Sequence, residues 1–401
     1  MKDSPVSPRQ FILFRIILGT YLAVHFVDLI PAADALFSNQ GMIPDGRLIP
    51  TNAFFPNLLI WCDDPFFARA FCGILAVLAL MLAAGVRQRL TSLLLWYGWA
   101  CLFNRNIFIS NPGMPYVGWL LLALCLIPPP RSRHDEAGSW QVPPVLFHGA
   151  WALMAVGYTV SGIHKLGAPS WLDGSALAHL FRNPLARETL LSGILMGLPD
   201  ILLRLMTWSV LAIEILFAPL CLLRRGRACI WTAAVAMHIG IMLSVDFLDL
   251  TMGMLTIHWF TFDRRWLRRP RTGETVIFFD GVCQLCNGAV NLVMSEDGDR
   301  RFRFAPLQGT TAAADPAVAG AGTDSIIVRT PDGRTLQQAA AALWIAGGLG
   351  GIFGLLRPFS LLPAAWLNPV YNLIARNRYR IRAKRDSCRL PTAEERAVFL
   401  D

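Results

Sequence analysis

The chain has 401 residues, a net charge of +9, 54% hydrophobic residues and 16% charged ones, the last well below the ~25% of soluble domains. Mean hydropathy is +0.46 and the pI about 9.4, but the apolar excess lies before Phe262 and the remainder has the composition of an ordinary small domain, which excludes a wholly soluble protein. Nucleic acid is excluded as the reason for the positive charge, because the basic residues form no single stripe and cluster between hydrophobic segments.

In chain order the apolar segments are Phe11–Ile30, Phe66–Ala84, Leu90–Ile109, Met114–Ile127, Val145–Ile163, Ile201–Leu223, Ala228–Val245 and Leu248–Phe262. Most approach the ~20 residues that cross a hydrocarbon core, the fourth and eighth being shorter. Every second connection is basic. Lys2 and Arg9 precede the first segment, Arg87 and Arg89 follow the second, and Arg131 and Arg133 follow the fourth. Arg224, Arg225 and Arg227 follow the sixth, and Arg264, Arg265, Arg268 and Arg269 follow the eighth. The intervening loops carry mostly acids (Asp34, Asp45, Asp63, Asp64, Asp246, Asp249) or a mixture. This bias predicts a multi-pass protein of the cell membrane with both termini cytoplasmic. Ala32-Ala33-Asp34-Ala35 is faintly like a signal-peptide cleavage site, but the apolar run before it is too long and contains Arg15, so it reads as a span.

Polar residues recur at membrane depth: His25, Asp28, Asn104, Arg105, Asn106, His148, His164, Lys165, Glu214, His238 and His258. Such groups are costly against lipid and face a bundle interior or a wet cavity. Singly, hydrogen bonds between helices account for them. As a set, the predicted sidedness puts Asn104, Arg105, Asn106, His164, Lys165 and His238 in the outer half, as a polar cavity would require, with Lys165 a candidate base.

Gly157-Tyr158-x-x-Ser161-Gly162-Ile163-His164-Lys165-Leu166, followed by Trp171-Leu172-Asp173-Gly174, resembles the signature of the HTTM family. These are membrane proteins related to vitamin K-dependent gamma-carboxylase. The resemblance covers roughly residues 8–262, with Arg105, Asn106, Met237 and His238 where that family has polar residues in its helices. It implies a quinone-like or lipid substrate. Lys165 takes the role of the base that deprotonates a hydroquinone, and Arg105, Asn106, His164, Trp171 and His238 become candidate substrate-binding residues. The chain departs from the carboxylase in having Ile107 after Asn106, where that enzyme has a histidine, and in lacking its large extracytoplasmic domain. Quinol or lipid redox chemistry, a transport-like or purely anchoring membrane domain, and a gamma-carboxylase-like enzyme all stay open.

Beyond the apolar part, Thr275–Phe279 reads as a strand and Asn287–Met294 as a helix, with Asp280-Gly281-Val282-Cys283-Gln284-Leu285-Cys286 between them. A Cys-x-x-Cys at such a junction puts its first thiol at a helix N-terminus, where backbone N–H groups and the helix dipole favour a thiolate. A second thiol one turn on can resolve a mixed disulfide. Asp280 either relays a proton during exchange or caps the turn through its side-chain oxygens, and the two roles are compatible. The rival reading is a zinc site or a redox- or metal-sensing pair, but zinc needs four ligands, no histidine follows His258, and Cys388 offers only a third. Cys62, Cys72, Cys101, Cys125, Cys221 and Cys229 have no ligand spacing and read as core residues. Arg301–Leu307 and Ser325–Arg329 read as strands, 310–322 as a loop, Pro331-Asp332-Gly333 as a turn and Ala339–Leu349 as a helix. That order predicts a thioredoxin-like sheet.

Asp280-x-x-Cys283-x-x-Cys286, with Phe304-Ala305-Pro306-Leu307 after it, resembles the DCC family of thiol-disulfide oxidoreductases. Asn377-Arg378-Tyr379 and Cys388-Arg389-Leu390-Pro391 are similar to that family's C-terminal end. The resemblance covers about 125 residues. It implies a redox enzyme with Cys283, Cys286 and Asp280 at its centre, Pro306 near the dithiol, and a dithiol or disulfide protein as partner. The basic, partly aromatic run 376–385 is either a solvated helix face or a segment lying on an anionic leaflet. The expected architecture is a polytopic α-helical membrane bundle of about eight transmembrane helices over 1–265, then a small α/β thioredoxin-like domain over 266–401. The same sidedness puts Lys165 at the outer end of its span and the Cys-x-x-Cys domain in the cytoplasm, with a ~30 Å hydrocarbon core between them.

Overall fold

The computed structural model describes residues 5–130, 140–267, 274–297, 300–319, 325–381, 391–392 and 395–400. Lys2, Arg131, Arg133, Arg268 and Arg269, which carry part of the sidedness reading, lie outside the described residues. So do Cys388 and the basic residues Arg382, Lys384 and Arg385. Packing divides the chain into two units: Phe11–Pro129 with Val142–Phe262, and Asp263–Asp401 with Met1–Gln10 and Pro130–Gln141.

In the first unit every apolar segment drawn from the sequence is helical. The helices are Pro8–Leu29, Pro65–Ala84, Gln88–Arg105, Met114–Leu126, Pro144–Leu166, Asp200–Leu222, Arg224–Ser244 and Leu248–Thr261. Five are long and apolar enough to cross a membrane: the first, which continues through short turns to Phe37, then Pro65–Ala84, Pro144–Leu166, Asp200–Leu222 and Gly226–Ser244. Gln88–Arg105 begins and ends in polar residues, while Met114–Leu126 and Leu248–Thr261 have only 13 and 14 residues. A helix of that length reaches about 20 Å, so three of the eight expected spans fall short of the criterion that the other five meet.

Helix Pro65–Ala84 shows the local logic. Asp64 accepts the Phe67 N–H at 3.0 Å, Pro65 sits in the first turn, and Gly85 ends the helix at φ +81°. A side chain on Gly19 would stand 2.6 Å from the Ala83 nitrogen, so that glycine lets two helices approach backbone to backbone. Cys72, Leu75, Ala79 and Leu82 are buried while Ile74, Val77 and Leu80 are exposed, so the helix is apolar on both sides. In such helices residue type does not encode burial. Of the six scattered cysteines, Cys72, Cys101 and Cys221 are buried and Cys125 is partly so, but Cys62 and Cys229 are exposed rather than in the core.

The second unit holds a four-stranded sheet of order β2-β1-β3-β4, with β1 Thr275–Phe279, β2 Phe302–Pro306, β3 Ile327–Arg329 and β4 Thr335–Gln337. β1 and β2 are parallel, joined by helix Gln284–Glu296; β3 is antiparallel to both β1 and β4. The three expected strands are present. The short β4, across the Pro331–Gly333 turn, and the helical turn Thr310–Ala314 were not expected. Alternation along β1 sends Ile277 and Phe279 into one core with Val290, Val293, Phe302 and Phe304. Phe278 enters the other with Ala305, Ala312 and Ile327. The chain end covers the outer edge of β2: the Phe304 N–H donates to the Val398 carbonyl and the Leu400 N–H to the Phe304 carbonyl, both at 2.9 Å.

Candidate active site

β1 delivers the chain to Asp280, and helix Gln284–Glu296 begins four residues later. The Cys283 N–H donates to the Asp280 carbonyl at 3.2 Å, and Asp280 Oδ1 accepts the Val282 N–H at 3.2 Å, which closes the turn. Cys283 is the residue that caps the helix, and its Sγ accepts the Cys286 N–H at 3.3 Å. That N–H and the positive end of the helix dipole both favour negative charge on the sulfur. Cys283 is buried and Cys286 half-buried, and both are free thiols.

Burial pushes the Cys286 thiol up to about 12, helped by its hydrogen bond to Cys283 and by the charges of Cys283 and Asp280, with Arg378 opposing. In the reduced protein Cys286 is therefore expected to resist alkylation across the neutral range. Its labelling, followed by peptide mass spectrometry, should rise only well above the pH at which an ordinary thiol reacts. A labelling midpoint at the ordinary thiol value of about 8.5 would contradict this arrangement.

Asp280 is itself buried, and its two oxygens have different partners. Oδ1 accepts from Gln308 Nε2 at 2.9 Å as well as from Val282; Oδ2 accepts from Tyr379 Oη at 2.7 Å, with the Arg378 guanidinium 3.5 Å away. One oxygen thus caps the turn, as one of the two sequence readings expects, while the other is held by a phenol and a cation. Burial raises the Tyr379 phenol above its ordinary range and the Asp280 contact adds to this, with Arg378 opposing. Gln308 also accepts the Gly281 N–H at 3.1 Å. Sequence spacing assigns no site role to Gln308, Arg378 or Tyr379. The only signal was the similarity of Asn377-Arg378-Tyr379 to the end of the DCC family.

Pro306 pairs with Phe279, the residue before Asp280, which places it on the strand end beside the motif. Asn287 Nδ2 donates to the carbonyls of Gly281 and Cys283, each at 2.9 Å. The Cys283 carbonyl also accepts the Asn287 backbone N–H at 3.0 Å, so Asn287→Ala should cost the buried Gly281 carbonyl its donor while the Cys283 carbonyl keeps one. The substitution is expected to lower the domain's unfolding free energy by about 1–3 kcal/mol in a denaturant titration; an unchanged midpoint would show the turn is held by other bonds.

Of the polar residues in the apolar helices, the structure gathers some and separates others. Lys165 ion-pairs with Glu214, donates to Ser161 Oγ at 3.1 Å and lies 4.8 Å from the Trp171 ring centre. Tyr158 Oη sits 2.7 Å from His238 Nε2 and 3.3 Å from His258 Nε2, and His258 Nδ1 donates to the Met254 carbonyl at 2.8 Å. That bond makes Nε2 of a neutral His258 the acceptor, so Tyr158 donates to it and accepts from His238. His238 Nδ1 is then a bare acceptor, and like Glu214 Oε2 it has no hydrogen-bond partner among the described residues. Gly157 makes room for the Tyr116 phenol, whose oxygen occupies the space a Cβ would need.

Arg105 and Asn106 are bonded elsewhere. Arg105 donates to the Ser38 and Leu59 carbonyls at 2.9 and 3.2 Å, and Asn106 to the Leu36 carbonyl at 3.0 Å. His164 is exposed. His25, on the first helix, hydrogen-bonds Asp249 at 2.7 Å. Among the described residues no group of three or more His, Cys, Asp or Glu is placed to hold a metal ion.

The family model for DCC1-like thiol-disulfide oxidoreductases matches residues 277–384, which include the end of β1, the dithiol, Asp280, Gln308 and Tyr379. A Bacillus subtilis (strain 168) protein called uncharacterized protein YuxK is 35% identical over 127 residues, 31% of this chain and 93% of that protein. DCC family protein At1g52590, chloroplastic, of Arabidopsis thaliana is 32% identical over 118 residues, 29% of this chain and 69% of that protein. No solved structure matches. Through its C-terminal domain, the chain belongs to the DCC family of thiol-disulfide oxidoreductases.

Proposed function

We propose that the chain is a membrane-bound thiol-disulfide oxidoreductase with a thioredoxin-like catalytic domain. The observation that carries this reading is the Cys283 sulfur, capping a helix and receiving the Cys286 N–H beside the buried carboxylate of Asp280. The Cys283 thiolate attacks one sulfur of a partner disulfide. A mixed disulfide forms, and the other partner sulfur leaves as a thiolate and takes up a proton. Cys286 then loses its proton and attacks Cys283 Sγ, which breaks the mixed disulfide and releases the second partner thiolate. The partner gains two electrons and the dithiol becomes a disulfide; run backwards, the same steps oxidise a partner. Asp280, whose charge acts on Cys286, is assigned as the acceptor for the Cys286 proton. A parallel β1–β2 pair joined by a helix, followed by an antiparallel β3–β4 pair, supports the thioredoxin-like reading. The test is alkylation before and after treatment with a reductant. A reversible two-electron change confined to Cys283 and Cys286 supports the mechanism, and its absence removes it.

The helical unit belongs to the proposal as the anchor, supported by five helices of spanning length. Both termini and the dithiol domain are assigned to the cytoplasm on the charge bias; reporter fusions near residue 273 would test this. The Lys165–Glu214 pair and the Tyr158–His238–His258 network, with two unpartnered acceptors, favour a site for a quinone-like or lipid molecule of the HTTM type. In that reading Lys165 is the base, and Trp171 and His238 line the site. Arg105, Asn106 and His164 contribute only if a ligand reaches them.

A further inference from the structure

Helix Ala364–Arg376 lies in the same unit as the dithiol. It packs on helix Gln338–Leu349, and its Tyr371 hydroxyl accepts the Ile326 N–H at 2.9 Å. Its other face is unlike the surface of a soluble domain. Trp366, Pro369, Val370, Leu373 and Ile374 follow the helical repeat, and all are exposed, Trp366 at 69% and Leu373 at 65%. Leu361, at 86%, precedes them. Cations gather at the C-terminal end of this stripe: Arg376 and Arg380 are exposed, and the sequence continues with Arg382, Lys384 and Arg385. Water is a poor solvent for such a face, and a contiguous exposed apolar stripe marks an interaction site.

We propose that this face is a docking surface for an anionic lipid bilayer. Three observations select that occupant. The stripe carries a tryptophan and aliphatic residues with basic residues at one end, the pattern of helices that lie in a membrane interface. The positive charge complements anionic headgroups. The same chain carries helices long enough to cross a bilayer, so a lipid surface is held at high local concentration. The inference rests on the bilayer reading of those helices and is independent of the dithiol mechanism. It bears on that mechanism through chain continuity: Arg378 and Tyr379, which hold Asp280, follow immediately after this helix. Lipid contact therefore places the dithiol within reach of partners presented at a membrane surface.

The test uses the full chain in nanodiscs of phosphatidylcholine, with or without phosphatidylglycerol. A fluorescent amino acid replaces Val370 or, as a control on an exposed turn, Asp332, and brominated acyl chains act as quencher. Quenching at 370 but not at 332, stronger in the anionic discs, is the expected result. Arg376→Gln with Arg380→Gln should lower the docked-to-undocked ratio there about thirtyfold. Equal quenching at the two positions overturns the proposal, as does quenching that ignores both lipid charge and the arginine pair. Cross-linking between positions 370 of two copies without lipid quenching would identify a second copy as occupant and also overturn it. A chain that does not enter nanodiscs refutes the spanning helices and the docking together, whereas failure of the dithiol chemistry leaves the docking result untouched.

Discussion

Cys283→Ser is expected to reduce disulfide exchange by at least about 10³-fold, because a hydroxyl at that position supplies neither a low-energy anion nor a sulfur that can form the mixed disulfide. Cys286→Ser is expected to behave differently. The first attack remains, the resolving step is lost, and a mixed disulfide between Cys283 and its partner should accumulate. The asymmetry follows from the helix terminus. Only Cys283 Sγ receives a backbone N–H across the turn, while Cys286 is pushed up to about 12 by burial and by the charges of Cys283 and Asp280. Burial of Cys283 adds a condition: the turn 280–283 must open for a protein disulfide to reach the sulfur. Stopped-flow exchange with a small disulfide and gel detection of trapped adducts read both effects. If Cys286→Ser traps nothing while Cys283→Ser does, the two roles are reversed.

The dithiol was legible in the sequence because it is local. A strand pattern, two cysteines and a helix pattern fall within 20 residues, and each part constrains the next. The groups around Asp280 were not legible. Gln308 and Tyr379 stand 28 and 99 residues away and meet the carboxylate only once the sheet is assembled. In the helical unit, hydropathy and charge report depth along the membrane normal but say nothing about azimuth around a helix. Arg105 and Lys165 were therefore grouped by depth, yet the bonds of Arg105 go to the Ser38 and Leu59 carbonyls, while Lys165 pairs with Glu214, 49 residues on. Tyr158, which belongs to the Gly157–Leu166 motif, is the group that links His238 to His258.

Lys165→Met is expected to destabilise the helical unit by about 3–5 kcal/mol, because it leaves the Glu214 carboxylate buried without its counter-charge. The Glu214 side chain is 7% exposed and Lys165 23%, so solvent screens the acid least and the penalty falls mainly on it. Lys165→Met with Glu214→Gln should recover most of the loss, since a neutral amide in the same space needs only hydrogen bonds. The pair of variants also separates the readings of the helical unit. If Lys165 is a base toward a quinol-like or lipid ligand, the double variant regains thermal stability in detergent but not turnover or ligand binding. If the pair only ties helix Pro144–Leu166 to helix Asp200–Leu222, stability and every activity return together. A single Lys165→Met variant that melts with the parent protein would show that the ion pair does not hold the two helices together, and the tie reading would have to be abandoned.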